Sequence, residues 1–283
     1  MRHSVTAVFL FFTAAASAQE TVDLKLKLTK GQSWKVELSA DMTGSGGDDK
    51  KEPGIGRPLV KDGWSLREAW MDVCEADAEG LPTALKRTWS SAKVSMIGRG
   101  GEAAGQEGAT AKLEAKADEP ACTVTVSKGK LPRPVEDFLA KGPIEPLTLL
   151  LPAGPVKPNE EWKVSKARIC QFHRLMATGI VGGIFTSGFD GLLKDMKNGG
   201  EAGHGCEVSA KITAVTKTEA TIEFAGAVDD GNGKVEIKGS LKWIVTKNRP
   251  SELTWSAKRE NKANDELGTK AWREEWKFAK NWK

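Results

Sequence analysis

Residues 228–245 read VDDGNGKVEIKGSLKWIV, and this stretch decides the fold class. Its first half, Asp229 to Gly233, predicts a hairpin turn, because Asn and Gly tolerate the positive φ angles that tight hairpins require. After the turn, apolar residues occupy alternate positions at Val235, Ile237, Leu241, Trp243 and Val245. A period of two is typical of a strand with one buried and one solvated face, which is the antiparallel habit.

The same alternation extends in both directions along the chain. It recurs upstream and downstream at Val22, Leu24, Leu26, Leu28, Trp34, Val36, Leu38, Ala40, Val208, Ala210, Ile212, Ala214, Ile222, Phe224, Leu253, Trp255 and Ala257. The last strand places Trp272, Trp276, Phe278 and Trp282 on one side. Strands spaced this closely pair with their neighbours as a meander. We therefore predict a mainly β fold, a large curved antiparallel meander sheet of half-barrel type with one or two packed helices.

Helical signals are few. Residues 134–139 have Pro near the start of a short apolar segment, as at the first turn of a helix. Residues 165–177 predict a second helix, capped by Ser165 and with Ile169, Phe172 and Leu175 at helical spacing. A further short helix is predicted over 189–196. Glycine-rich loops are expected over 44–56, 98–108 and 198–205.

The N-terminus has the three parts of a secretory signal. A short basic start, an apolar run over 5–12 and the small-residue site Ala16-Ser17-Ala18 predict cleavage before Gln19. We expect residues 1–18 to be the signal peptide and residues 19–283 to form a single β-rich domain, exported to the periplasm or beyond the cell. A weak internal duplication, with halves meeting near 152–158, is a further interpretation. No later stretch is apolar enough to span a bilayer, which takes roughly 20 residues.

Charge and cysteine content limit the classes of partner. The 42 basic and 38 acidic residues are interspersed, so no basic face for nucleic acid is expected. The four cysteines Cys74, Cys122, Cys170 and Cys206 permit two disulfides in an oxidising compartment, and Cys170–Cys206 is the favoured pair. Buried free thiols are the first alternative to this pairing. Cys170, His173, His204 and Cys206 are a weaker alternative as zinc ligands, because their spacing is unusual for such a site.

No motif points to catalysis or to a cofactor. The chain lacks a Gly-x-Ser-x-Gly elbow, and Ser90-x-x-Lys93 is a short pattern that lies in an alternating segment rather than at a helix start. We expect no cofactor and no catalytic residues.

The chain contains ten tryptophans and no tyrosine. Trp243, Trp255, Trp272 and Trp276 lie on the apolar side of predicted strands, which favours a core role. The same four are our candidate ligand-binding residues, lining an apolar cavity or forming a platform for sugar rings. Trp64 and Trp70 lie in a less regular segment and are candidates for exposure.

The layout resembles that of a known group. Gly31-Gln32-Ser33-Trp34 ends the opening strands, Leu150-Leu151-Pro152 precedes Trp162 and a helix, and the closing meander carries residues 239–243, GSLKW. In outline this resembles uncharacterised secreted bacterial β-rich proteins and is distantly similar to half-barrel lipoprotein carriers. The second resemblance implies an acyl chain bound on the concave face.

These observations lead to one functional expectation and two alternatives. We expect a non-catalytic exported binding or envelope-associated protein that holds a hydrophobic or acyl ligand under the curved sheet. The alternatives are a polysaccharide-binding protein that uses Trp platforms and a secreted hydrolase without a recognisable motif.

Overall fold

The computed structural model describes residues 21–46, 63–96, 102–103, 105–117, 121–169, 171–172, 207–229, 234–261 and 272–283. Strands dominate these ranges: β1 (Ser33–Gly46), β2 (Gly63–Ala78), β3 (Leu81–Met96), β4 (Glu102–Ala103), β5 (Thr110–Ala115), β6 (Cys122–Lys128), β7 (Glu161–Val164), β8 (Val208–Val215), β9 (Glu219–Asp229), β10 (Lys234–Ile244), β11 (Arg249–Asn261) and β12 (Trp272–Trp282). The helical elements are α1 (Arg133–Ala140), the 3-10 turns Pro146–Leu149 and Val245–Lys247, and helical residues at 166–169 and 171–172.

The strands form one open antiparallel sheet. Its order is β6-β5-β3-β2-β1-β12-β11-β10-β9-β8-β7, and β4 pairs with β3 beside this path. Strands β8 to β12 are neighbours in chain order, so the predicted C-terminal meander is confirmed. The predicted fold class, mainly β with a large curved antiparallel sheet, is confirmed as well. The first strand joins the last, from the Val36–Trp282 pair to the Gly46–Trp272 pair.

One face of the sheet carries the apolar core. In β10 the buried residues are Val235, Ile237, Leu241 and Trp243, while the lysines and glutamate between them are exposed. This is the alternation that the sequence predicts, because successive side chains of a strand point to opposite faces. The core continues across the sheet through Trp34 of β1 and Trp282 of β12.

A close approach of two strands explains one glycine of the β10 sequence. Trp255 of β11 lies directly over Gly239, where a Cβ atom would be 2.6 Å from the Cε3 atom of the indole. The Trp255 ring also contacts Phe172 edge-on, with ring centres 5.0 Å apart, and Phe224 at 5.7 Å. Glycine at 239 therefore leaves room for the indole of Trp255, which a Cβ at this position would contact too closely.

The segment before β1 corrects one prediction. Val22, Leu24, Leu26 and Leu28 are all buried, as their alternation predicts, but the segment forms no strand in the sheet. Val22 exchanges two backbone hydrogen bonds with Val156, and the N–H groups of residues 27 and 28 donate to the carbonyls of residues 248 and 80. An isolated pattern shows which side chains are buried, but not which partner receives the backbone hydrogen bonds. The segment instead crosses one end of the sheet and adds its apolar side chains to the core.

Both helix predictions that fall on described residues are confirmed. The first corresponds to α1. In the second, the Ser165 hydroxyl accepts a hydrogen bond from the Arg168 N–H at 3.5 Å, and Ile169 and Phe172 are buried. The predicted continuation to residue 177, the helix over 189–196, the signal peptide 1–18 and most of the three glycine-rich loops lie outside the described residues. Residues 102–103 of the second loop form β4.

Candidate functional site

A recess lies between the buried face of the sheet and the segment that contains α1. We define the recess by the residues that line it: Leu38, Glu68, Trp70, Arg87, Trp89, Leu113, Cys122 and Lys280 on the sheet, and Val135, Leu139, Pro143, Ile144 and Pro146 on the cover. The centres of water molecules can occupy about 60 Å³ of the recess. Because one water molecule needs about 10–15 Å³ of such volume, the recess in this structure has room for a few water molecules or a small polar group.

The polar side chains of the recess come from positions that the strand pattern assigns to the core. Lys280 shares the inward parity of Trp276, Phe278 and Trp282 in β12. Glu68 lies between Leu66 and Trp70 in β2, which are both buried. A charged residue at an inward position of an apolar strand is the signal by which sequence reasoning could have found these groups, because charges are seldom buried unless paired. We did not single them out from the sequence.

Arg87 of β3 and Asp72 of β2 form a buried ion pair. The Arg87 Nε and Nη2 atoms donate to the two Asp72 carboxylate oxygens at 2.8 Å each, and the Trp70 Nε1–H donates to Asp72 at 2.9 Å. The guanidinium carbon lies 4.6 Å from the centre of the Trp70 ring and 5.8 Å from that of Trp89. Burial alone would lower the pKa of Arg87, but the Asp72 carboxylate outweighs it, so that the pKa is raised and the guanidinium stays charged.

Lys280 and Glu145 form a second buried pair, which joins the sheet to the cover. The Lys280 Nζ atom lies 2.9 Å from both Glu145 oxygens, and each side chain is 6% exposed. Glu145 also accepts the Leu147 N–H at 3.2 Å, which caps the 3-10 turn that follows. Burial lowers the pKa of Lys280, and the nearby Glu145 carboxylate opposes that shift. The ammonium lies 4.6 Å from the centre of the Trp282 ring, within cation–π range.

Glu68 differs from these paired groups. Its carboxyl accepts a hydrogen bond from the side-chain amide of Gln106, which is a neutral partner. Burial raises the pKa of Glu68 to about 7, because loss of hydration outweighs the hydrogen bond from Gln106 and the more distant Arg87 charge. The recess therefore contains a carboxyl group, that of Glu68, which titrates near neutral pH.

The two described cysteines carry free, buried thiols. Cys122 in the recess wall donates to the Leu139 carbonyl of α1 at 2.8 Å, and burial raises the pKa of its thiol to about 11. A thiol that remains protonated at neutral pH is a poor nucleophile. Cys74 contacts the carbonyls of residues 28 and 76 instead. Cys170 and Cys206, the favoured disulfide pair, lie outside the described residues, as do His173 and His204 of the zinc alternative, so both remain predictions.

The tryptophans that line the recess are Trp70 and Trp89, and neither is among the ligand-binding candidates that the sequence predicts. Trp243, Trp255 and Trp276 are buried in the core, with 0%, 2% and 7% of their surface exposed, and do not line the recess. Rings this buried present no exposed platform to a sugar. The side chains of Trp272 and Trp64 are not among those described. Trp70, a candidate for exposure, is only 4% exposed, so that prediction is wrong: it lies in the 16-residue strand β2, on the same inward face as the buried Leu66 and Asp72.

Among the described residues there is neither a cluster of metal-ligating side chains nor a membrane-spanning helix. They contain no group of three or more His, Cys, Asp or Glu side chains arranged to hold a metal ion. None of the helices in the described ranges is both long and apolar enough to cross a bilayer.

Comparisons with known proteins identify no family. No protein-family model matches the chain, and no curated protein matches it. One solved structure, described as "Lipid-protein interactions in lipovitellin", aligns with 89% of this chain at a TM-score of 0.44 and 7% sequence identity. The chain spans about a quarter of the length of that protein, since the alignment covers 25% of it.

Proposed function

We propose that the chain is an exported, non-catalytic binding or envelope-associated protein that holds a hydrophobic or acyl ligand under its curved sheet, in the recess. The observation that carries this proposal is the composition of the recess wall. Trp70, Trp89 and Leu113 supply apolar surface, and a few charged groups stand at defined points among them. A mainly apolar concavity with a small number of placed polar groups is typical of sites for small molecules.

The construction of the cover also supports binding. Val135 and Leu139 of α1 line the recess yet are only half-buried, so that part of their apolar surface still faces solvent. The helix is eight residues long and packs beside the edge strand β6, with its Leu139 carbonyl bonded to the Cys122 thiol. A ligand that displaced α1 outward would break the Cys122–Leu139 hydrogen bond and the contacts of Val135 and Leu139 with the core, and would gain the apolar wall behind the helix.

Mass spectrometry tests this proposal directly. The mature protein would be extracted under native conditions, and its bound lipids would be identified after organic extraction. We expect an acyl compound at a stoichiometry near one per chain. Val135→Trp would fill the recess and reduce the bound compound, whereas Arg133→Trp places the same ring on a side chain that is 92% exposed in the same helix. Equal lipid content in both variants, or none in the native protein, would contradict the proposal.

Export forms a separate part of the proposal. The motivation is the small-residue site Ala16-Ser17-Ala18 after the apolar run. Sequencing the N-terminus of the exported protein should give Gln19 first, and a retained Met1 would refute processing. Peptide mapping without reductant on the same sample should show Cys170 joined to Cys206, and four free thiols would refute that pairing.

A further inference from the structure

The two cations in the wall of the recess are each neutralised by a carboxylate of the chain itself. Arg87 holds both oxygens of Asp72, and Lys280 holds both oxygens of Glu145. All four side chains are at least nine-tenths buried. An anionic ligand would have to open one of these pairs and leave a carboxylate unpaired away from water, which is strongly unfavourable. The described wall therefore has little attraction for a negatively charged head group.

Glu68 supplies the opposite kind of contact. It is hydrogen-bonded to a neutral amide, and its pKa of about 7 leaves much of the carboxyl protonated at and below neutral pH. A protonated carboxyl has an O–H donor, which an ionised one lacks. The Gln106 Oε1 atom of the same amide is buried and has no hydrogen-bond partner among the described residues, so that an uncharged acceptor also lies next to Glu68. The wall of the recess can thus donate a hydrogen bond at Glu68 without contributing a net charge there.

We propose that the recess selects acyl ligands whose polar end is uncharged, such as an ester, an amide or an alcohol, over free fatty carboxylates. This inference rests on the proposed function and specifies the ligand class of the same site. An ester carbonyl accepts the hydrogen bond from Glu68 and leaves both ion pairs closed. A carboxylate would lose its hydration and would find no unpaired cation among the described residues that line the recess.

Quenching of tryptophan fluorescence by brominated lipids tests the inference, because Trp70 and Trp89 line the recess. The two probes are dibromoundecanoic acid and its glycerol monoester, which carry the same acyl chain, both used below the concentration at which they aggregate. At about pH 6.5 the free acid is ionised, since ordinary carboxyl groups titrate near pH 4–5. We expect the monoester to bind at least about tenfold more tightly than the acid, and the difference to narrow as the pH is lowered and the acid becomes protonated.

The outcomes separate this inference from the proposed function. If the acid binds as tightly as the monoester or more tightly, the inference is overturned while the proposed function stands. If neither probe quenches at saturating concentration, the proposed function fails, and the inference fails with it. Glu68→Ala should weaken monoester binding about tenfold, which corresponds to one hydrogen bond. Glu252→Ala, in an exposed ion pair with Lys242, is the control and should leave it unchanged. An unchanged monoester affinity in folded Glu68→Ala also overturns the inference.

Discussion

The buried pair of Lys280 and Glu145 permits a test of how the cover is held on the sheet. The Nζ atom lies 2.9 Å from both carboxylate oxygens, and the two residues are 135 positions apart in the chain. At an effective dielectric constant of about 20, two unit charges at this distance attract by about 6 kcal/mol, and loss of hydration offsets much of that gain. Removing one partner leaves the other charge buried without its hydration and abolishes the attraction between the two charges. We therefore expect Glu145→Gln to lower the free energy of unfolding by about 3–5 kcal/mol.

Glu145→Gln is the informative substitution because it changes charge with almost no change in shape. The amide oxygen can still accept the Leu147 N–H, so that the cap of the 3-10 turn is retained. Lys280→Met should cost a similar amount, since it leaves the Glu145 carboxylate buried and unpaired. The double variant should lose at least about 2 kcal/mol less than the sum of the two single variants, because the second change removes the group that the first left unpaired.

Urea unfolding, followed by tryptophan fluorescence and by far-ultraviolet circular dichroism, measures these free energies. The matched control is Glu252→Gln, which breaks the ion pair with Lys242 at 2.6 Å where the side chains are 38% and 48% exposed. Exposed pairs contribute about 0–1 kcal/mol, and the control should fall in that range. The claim that Lys280 and Glu145 stabilise each other is refuted if Glu145→Gln lowers the free energy of unfolding by no more than the control does. It is refuted as well if the effects of the two single variants add fully in the double variant.

Three further predictions concern Glu68, Trp276 and Gly226. The pKa of Glu68 is raised from 4.5 to about 7 in the folded state, so that its contribution to stability is full below about pH 4.5 and declines by up to about 3 kcal/mol as the pH rises through 7. Glu68→Gln should therefore flatten the plot of urea midpoint against pH between these values. An unchanged plot would contradict the raised pKa of Glu68. Trp276→Ala should cost about 3–5 kcal/mol in the same assay, since the ring is 7% exposed, and an unchanged midpoint would argue against its place in the core. Gly226→Ala should lower the free energy of unfolding by more than about 1 kcal/mol, because φ is +149° and a Cβ would lie 2.6 Å from the Val208 Cα. The control is Gly154→Ala, where a Cβ meets open space, and it should change the urea midpoint little.

Some residues of the candidate site can be recognised from the sequence, although the sequence analysis did not single them out. Lys280 and Glu68 occupy inward positions of apolar strands, and that parity is visible without a structure. The partners of these groups cannot be read in the same way. Glu145 lies in a segment without period-two alternation, and nothing local relates it to a lysine 135 residues later. Cys122 likewise meets the Leu139 carbonyl only because α1 folds back over β6.

The sequence by itself determined β1, the strands from β8 to β12, their inward faces and the C-terminal meander. These features depend on the alternation of side chains along each strand and on turn signals in the sequence, such as that of residues 229–233, which act over a few residues. Only the tertiary structure decided that β12 pairs with β1, that residues 21–32 cross the end of the sheet instead of joining it, and that two buried ion pairs and Glu68 surround one recess. The physical reason is that period two specifies which face of a strand is apolar, whereas the choice of partner depends on competition among all strand edges and apolar segments for the same buried surface.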